Sequence, residues 1–170
     1  VSELKKQTGL MIQLHSHYTS GMAAMTYLKA VEAGCDVIDT AVASMALHTS
    51  QPAAETMVAV LKGTKYETGL DINKIAVVSE YFERLREEMA YERPKQGFID
   101  IKVLSHQVPG GMISNLLSQL DKQGAADRID DVLEELPRVR KDLGYPPLVT
   151  PTSQFVGTQA VLNVLLGERY

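Results

Sequence analysis

The stretch GLMIQLHSH at residues 9–17 decides how this chain can fold. Its apolar run predicts a buried strand over residues 10–15, with His15 and His17 at the strand's end. Side chains two residues apart on a strand point to the same face, so the two imidazoles can aim at one point. This is half of a metal site, because a catalytic zinc usually takes three protein ligands and keeps an open position. The spacing alone is equally compatible with two polar histidines that only end a strand.

The next segments predict a strand–helix–strand–helix order. A helix is expected over residues 21–33, a second strand over residues 36–42 and a second helix over residues 53–62, with Pro52 at its first position. Both strands are mostly continuous apolar runs, as expected for a parallel sheet that is covered on both faces. Short links between the elements favour a βαβ arrangement. The residues predicted to face the core from the first helix are Met22, Met25, Leu28 and Ala33.

The second half of the chain is predicted to be mainly helical. One further strand is possible at residues 98–103, and Pro137 is expected to kink or split the helix that contains it. Thr152 or Ser153 is the expected N-cap of the last helix. The predicted helices cover residues 72–92, 112–123, 125–143 and 153–166.

The number of strands limits the architecture. Two or three parallel strands cannot close a barrel, and a complete (β/α)8 barrel needs about 250 residues. The sheet would keep an open apolar edge unless another segment covers it. The sequence therefore predicts an α/β fold, the C-terminal part of a TIM barrel followed by a helical extension. Residues 1–70 would hold the βα units, and residues 71–170 the end of the barrel and the post-barrel helices.

Composition excludes several classes of protein. The 170 residues carry a formal net charge of −4, so the sequence lacks the basic clusters of a nucleic-acid-binding protein. The single cysteine, Cys35, excludes an internal disulfide and fits a reducing compartment. No apolar run approaches the roughly 20 residues of a membrane span, and no signal peptide is visible. We expect a cytoplasmic protein, with membrane association only through partner subunits.

Polar residues collect where the predicted strands end, which is the functional end of parallel α/β folds. After the second strand, residues 43–52 read ASMALHTSQP and lead into a helix whose free N–H groups suit a carboxylate substrate. Thr49 and Ser50 offer hydroxyl groups there, although Ser50 or Gln51 could equally be a plain helix cap. The turn SHQVPGGM at residues 105–112 is too short and too poor in glycine for a nucleotide-binding fingerprint.

Several short motifs in register resemble the carboxyltransferase domain of biotin-dependent enzymes. That family includes the oxaloacetate decarboxylase α subunit, pyruvate carboxylase, especially the form with a separate B subunit, and transcarboxylase. Each motif is weak alone, but together they run in order over nearly the whole chain. The matching stretches are HSHYTSG (15–21), DTAVASM (39–45), TSQP (49–52), QVPGGMISNL (107–116), VTPTSQ (149–154) and VGTQ (156–159).

The resemblance implies an active site in a TIM barrel with a divalent metal, most often zinc, with manganese or cobalt as alternatives. In the family the ligands are an aspartate, a carbamylated lysine and the two histidines of the His-x-His motif, which match His15 and His17. The threonine of the TSQP motif, here Thr49, is implied to orient the keto acid or to move a proton. Ser50 and Gln51 are implied to bind substrate beside it. The implied reaction is reversible carboxyl transfer between biotin and pyruvate.

The resemblance also implies partners. The aspartate and lysine ligands are expected upstream of Val1, in a missing N-terminal part of the barrel, so this chain alone would hold an incomplete site. Biotin is expected on a separate carboxyl carrier domain, downstream of Tyr170. A homodimer and a small keto acid complete the expected partners, and no nucleic acid is expected. His48 departs from the family, in which a small residue is common at that position.

The leading prediction is an oxaloacetate decarboxylase of the α type, and the B subunit of pyruvate carboxylase is the alternative within the family. An amidohydrolase-like zinc hydrolase also carries His-x-His at a strand end, but it needs further histidines that His48 and His106 do not readily supply. A non-catalytic fragment or interaction module is the alternative of another class. The discriminating feature is whether a preceding segment supplies an aspartate and a lysine.

Overall fold

A computed structural model describes residues 1–89, 99–101, 103–106, 108 and 110–170. The chain divides into two compact units, Val1–Asp100 and Ile101–Tyr170. The predicted division into residues 1–70 and 71–170 concerned the barrel and its extension rather than compact units, and it stays a prediction.

The first unit alternates helices with two short strands. Gly9 ends the first helix in the left-handed conformation, with φ of 66°, and its N–H donates to the carbonyl of Lys5. In chain order the elements are α1 (Ser2–Thr8), β1 (Gln13–Leu14), α2 (Ala23–Glu32), β2 (Val37–Ile38), a 3₁₀ turn (Ala43–Met45), α3 (Ala54–Leu61) and α4 (Ile72–Glu88). Residues 90–92, which the sequence placed in the last of these helices, lie outside the described residues.

The described residues contain one two-stranded sheet, and it is parallel. Gln13 lies opposite Val37 and Leu14 opposite Ile38, so the predicted strand–helix–strand order is confirmed. The N–H of Asp39 donates to the carbonyl of Leu14 at 3.0 Å, which carries the pairing one residue past β2. Both strands therefore end at the same edge of the sheet.

Several apolar residues in and beside the strands are exposed rather than covered. Leu10, Met11 and Val37 are 66%, 81% and 42% exposed, respectively. The expectation of a sheet covered on both faces is therefore wrong for this chain taken by itself, because two strands and their helices do not reach all of these side chains. The predicted open apolar edge is what the structure contains.

Helix α2 buries a different face from the one predicted. Met22 and Met25 are 42% and 64% exposed, so they do not face the core. The buried positions follow helical spacing but use small residues and one tyrosine instead. They are Ala23, Tyr27, Ala30 and Val31.

The helix after the second strand starts later than predicted. Ala53 precedes α3 in extended conformation, so Pro52 is not the first helical residue. The carbonyl of Pro52 instead accepts the N–H of Ala41 at 3.2 Å, and Ala41 and Ala53 form a parallel bridge. This pairing holds Ala53 in extended conformation, so the helix cannot start at Pro52.

The second unit is helical. Its elements are α5 (Val103–His106), α6 (Gly110–Lys122), a 3₁₀ turn (Ala126–Arg128), α7 (Ile129–Asp142) and α8 (Thr152–Leu166). Its core lies between the last three helices, and its members are spaced three and four residues apart along each helix. They include Met112, Leu116, Leu120, Val132, Leu133, Leu136, Val139, Val156, Ala160 and Val161.

Several predictions for this unit need correction. Val103 begins a helix and the described residues 99–101 form no strand, so the strand expected at 98–103 is wrong there, while residues 98 and 102 lie outside the described residues. Helix α7 continues through Pro137, whose ring lies on its exposed face, and is therefore not split. Neither Thr152 nor Ser153 is the N-cap of α8, because Pro151 takes that position without a side-chain hydrogen bond.

Across the part of the chain that the structure describes, we find no helix with the length and apolar character needed to cross a membrane.

Candidate metal centre

The two sequence-predicted histidines follow β1 and lie beside each other. The ring centroids of His15 and His17 are 5.1 Å apart, and the ring planes meet at 82°. The strand itself ends at Leu14, so both histidines belong to the segment that leaves the sheet at its carboxyl edge. The structure thus brings together the two side chains that the spacing pattern singled out.

His15 is held by a carboxylate from the neighbouring strand. Its Nδ1 lies 2.9 Å from Oδ2 of Asp39, the residue that follows β2 directly. The other carboxylate oxygen, Oδ1, accepts a hydrogen bond from the side-chain amide of Gln13 at 2.6 Å. These bonds, first the one from His15 and then the one from Gln13, lower the pKa of the Asp39 carboxyl below its usual range.

His17 is held by the backbone of the loop that leads to α3. Its Nδ1 is within hydrogen-bond distance of the carbonyl oxygen of Thr49. A carbonyl oxygen can only accept, so Nδ1 of His17 carries the hydrogen. The same loop makes a second backbone contact with this segment, because the N–H of Tyr18 donates to the carbonyl of Ser50 at 2.7 Å.

The hydrogen-bond partners decide which nitrogen of each ring carries a lone pair. In a neutral imidazole one nitrogen donates and the other carries a lone pair. Both Nδ1 atoms face oxygen acceptors, so both Nε2 atoms carry the lone pair. Metal-binding histidines almost always donate their second ring N–H to a carboxylate or a carbonyl in this way. The donor set therefore fits a divalent metal that accepts imidazole nitrogen, such as zinc.

The two histidines do not form a complete metal site within the described ranges. No group of three or more histidine, cysteine, aspartate or glutamate side chains converges there. Asp39 is close, but one of its carboxylate oxygens is bonded to Gln13 and the other to Nδ1 of His15. It therefore meets the imidazole at Nδ1 and not at Nε2. Further ligands would have to come from elsewhere.

The loop with the predicted substrate residues is tightly wound. Leu47 and His48 have φ of 70° and 51°, in the left-handed region that residues with a Cβ atom rarely adopt. The N–H of Leu47 donates to the carbonyl of Gln51, and the N–H of Ser50 donates to the carbonyl of Leu47. Such conformations persist where surrounding contacts hold them, often at functional sites.

The structure places all three predicted substrate residues beside the histidines. Thr49 contacts His17 through its carbonyl, and the amide nitrogen of Gln51 lies 3.4 Å from Nε2 of His15. The hydroxyl of Ser50 donates to the side chain of Gln51 at 3.2 Å. Neither Ser50 nor Gln51 caps α3, since that helix begins at Ala54 without a side-chain cap.

A buried tyrosine holds the backbone between the two histidines. The hydroxyl of Tyr27 accepts the N–H of Ser16 at 2.8 Å and donates to the carbonyl of Ser16 at 3.3 Å. Tyr27 is fully buried, and burial raises the pKa of its hydroxyl, which therefore stays protonated. Sequence reasoning missed Tyr27 and gave Asp39 and Gln13 no role in the site. Parallel pairing of the two strands was the signal for Asp39, because it places the residues that follow each strand side by side.

Both parts of the chain are similar to known proteins. Residues 1–81 match the HMGL-like family model, and residues 103–169 match the model of the conserved carboxylase domain. The chain is 58% identical over its whole length to the B subunit of pyruvate carboxylase from Methanocaldococcus jannaschii, of which it spans 30%. It is 44% identical over its whole length to the 2-oxoglutarate carboxylase large subunit of Hydrogenobacter thermophilus, of which it spans 26%.

The fold matches as well. The carboxyltransferase domain of Rhizobium etli pyruvate carboxylase with pyruvate superimposes with a TM-score of 0.91 at 34% identity, over 99% of this chain and 28% of that one. The chain belongs to the carboxyltransferase family of biotin-dependent enzymes. Within that family, its matches include the B subunit of pyruvate carboxylase from two organisms, with Methanothermobacter thermautotrophicus as the second at 54% identity. The expected α/β class and the relation to a TIM-barrel carboxyltransferase domain are confirmed.

Proposed function

We propose that the chain forms part of a biotin-dependent carboxyltransferase that moves a carboxyl group between carboxybiotin and pyruvate. The observation that carries this proposal is the pair of histidines whose Nδ1 atoms meet oxygen acceptors and whose Nε2 atoms are left with lone pairs. Relatives named as the B subunit of pyruvate carboxylase favour this reaction over the oxaloacetate decarboxylase of the α type, which was the leading sequence-based prediction.

His15 and His17 would hold a divalent metal through their Nε2 atoms. Zinc is the first candidate, with manganese and cobalt as alternatives, since all three accept imidazole nitrogen. When bound, such a metal supplies a Lewis acid that polarises the keto oxygen of the substrate. Asp39 and the carbonyl of Thr49 orient the two rings.

The proposed reaction balances as one bond exchange and one proton transfer. The C–N bond between the carboxyl group and the biotin ureido nitrogen breaks, and a C–C bond forms to the methyl carbon of pyruvate. One proton passes from that methyl carbon to the ureido nitrogen. We assign the proton transfer to the hydroxyl of Thr49 and contacts with the keto acid to Thr49, Ser50 and Gln51, because their loop touches both histidines.

The proposed function needs partners beyond this chain. A biotin carboxyl carrier domain presents the cofactor, and a preceding barrel segment supplies the aspartate and the carbamylated lysine. A homodimer and a cytoplasmic location stay predictions from the sequence. The relatives give the amidohydrolase alternative no support. The metal content of the protein decides between the proposed carboxyltransferase and a non-catalytic fragment or interaction module.

The test is metal content and carboxyl transfer in the complete natural protein, supplied with its biotin carrier. We expect about one divalent ion per site in the wild type, and its loss in His15→Ala and His17→Ala together with at least a 100-fold loss of transfer. His48→Asn is the matched control, since asparagine tolerates the left-handed conformation that His48 adopts. It should keep its metal.

Thr49→Val separates the hydroxyl of Thr49 from its carbonyl. The variant keeps the carbonyl that orients His17, so it should keep the metal and lose transfer if the hydroxyl moves the proton. Full transfer in Thr49→Val would remove the assignment of the proton to this residue. Offering pyruvate and 2-oxoglutarate separately identifies the acceptor. Metal that is absent from the wild type, or retained in both histidine variants, would reduce the histidines to structural residues.

A further inference from the structure

Asp39 lies in the middle of a three-membered chain of side chains at the carboxyl edge of the sheet. Gln13 donates to its Oδ1 at 2.6 Å, and Nδ1 of His15 lies 2.9 Å from its Oδ2. The arrangement follows from parallel pairing, since Gln13 lies opposite Val37 and Asp39 comes two residues later. Because Gln13 occupies one carboxylate oxygen, it sets the rotation of the carboxylate and leaves the other oxygen facing the imidazole.

This arrangement determines the tautomer of His15. An ionised carboxylate only accepts hydrogen bonds, so in a neutral imidazole Nδ1 must carry the hydrogen and Nε2 the lone pair. The amide nitrogen of Gln51, at 3.4 Å from Nε2, approaches the ring from that lone-pair side. Without Asp39, either nitrogen of a half-exposed imidazole could carry the hydrogen, and the ring could turn about its side-chain bonds.

We propose that Asp39, held by Gln13, is a positioning residue that keeps His15 in its Nδ1–H tautomer and presents Nε2 toward a divalent metal. The inference rests on the proposed function, because it concerns the same metal site. Asp39 would act through His15 and would not itself be a metal ligand. The side chains of His15 and Asp39 are 53% and 32% exposed, so water can take over the hydrogen bond between them and its loss costs little folding stability. Removal of Asp39 should therefore change metal binding much more than folding.

The test compares Asp39→Ala with a substitution of the carboxylate that precedes β2 and touches neither histidine. Asp36 is that control, since its carboxylate pairs with Lys5 and accepts the N–H of Ile12 at 2.8 Å. In the complete natural protein, Co²⁺ affinity is measured by competition with a chromophoric chelator. The ¹⁵N chemical shifts of His15 are recorded without metal, and thermal unfolding reports on the fold.

We expect Asp39→Ala to weaken Co²⁺ binding about 10- to 100-fold, the usual effect of losing an outer partner of a metal-binding histidine. The ¹⁵N shifts should change from a single Nδ1–H tautomer to a mixture. Asp36→Asn should leave both readouts unchanged, and Gln13→Ala should give a smaller loss, because it frees the carboxylate without removing it. If Asp39→Ala fails to fold, Asp39→Asn decides by the same two readouts.

The outcomes separate this inference from the proposed function. If the wild type binds Co²⁺, His15→Ala abolishes binding and Asp39→Ala changes neither affinity nor tautomer, the role of Asp39 is overturned and the metal site stands. If Asp36→Asn weakens binding as much as Asp39→Ala, the effect is a general one on the sheet and the inference is also overturned. If the wild type takes up no Co²⁺, the metal site and the role of Asp39 fail together.

Discussion

At the scale of single residues, the two histidines depend on neighbours that carry no metal-binding chemistry themselves. Tyr27 clamps both backbone groups of Ser16, the residue between His15 and His17. A buried hydroxyl with two partners is costly to remove, because the groups it leaves behind lose a hydrogen bond away from water. The positions of the two histidines therefore depend on the buried Tyr27 as well as on Asp39.

Tyr27→Phe should lower the free energy of unfolding by about 1–2 kcal/mol, since the N–H and carbonyl of Ser16 lose their partner. It should also weaken Co²⁺ binding, because the two imidazoles are no longer held at a constant separation. Urea unfolding and chelator competition measure the two effects. Tyr81→Phe is the control, because Tyr81 is 55% exposed. Equal affinity in Tyr27→Phe and the wild type would show that the clamp is not needed at the site.

At the scale of elements, one buried carboxylate ties α7 to α8 and to the residues that follow α8. Glu135 is 6% exposed, and its Oε1 accepts hydrogen bonds from Asn163 at 2.9 Å and from Arg169 at 2.6 Å. Burial alone would raise the pKa of Glu135, but the hydrogen bonds from Asn163 and Arg169 outweigh it, so the pKa lies below its ordinary value. The ionised form is therefore the one that stabilises the fold.

A lowered pKa gives a defined dependence on pH. The contribution of Glu135 is fully present above the unfolded pKa of about 4.3 and is lost as the pH falls through the lower folded value. At pH 7, Glu135→Gln should be less stable than the wild type by about 1–3 kcal/mol. The difference should shrink below about pH 4.

Urea unfolding of both forms between pH 7 and pH 3 measures this difference. The exposed neighbour provides the control, since Glu134→Gln removes the same charge from the surface of α7. A stability difference between the wild type and Glu135→Gln that stays constant down to pH 3 would contradict the assignment.

At the scale of the whole molecule, the first unit carries an apolar surface that two strands leave uncovered. Leu10 and Met11, which lead into β1, are 66% and 81% exposed. A free strand edge with large apolar side chains is a site for association with other strands. This is the surface against which the proposed preceding barrel segment would pack.

The 170-residue chain in isolation should self-associate through this surface. Met11→Lys should reduce that association, because a lysine beside a free strand edge disfavours pairing with another chain. Met25→Lys is the matched control, since Met25 is 64% exposed on α2 and the substitution adds the same charge away from the strands. Sedimentation velocity measures the extent of self-association in both variants. An equal reduction in both variants would mean that net charge, and not the strand edge, governs association.

Local patterns in the sequence were enough for the pair of histidines and for most helices. His15 and His17 are two residues apart, so their proximity depends on only a few backbone angles. The buried face of α2 was predicted wrongly, because alanine and methionine both fit a helix and only tertiary packing decides which side is covered. The start of α3 was misplaced for a similar reason, since the pairing of Ala41 with Ala53 outweighs the preference of Pro52 for a first helical position.

The sequence by itself determined the α/β order, the family and the candidate metal ligands, because these depend on periodicity and on short motifs. Only the tertiary structure decided which nitrogen each histidine presents. That choice depends on Asp39 and on Thr49, which lie 24 and 32 residues away from the histidines that they contact. Hydrogen-bond direction is a property of the groups that meet in space, so it emerges only when two parallel strands place their ends side by side.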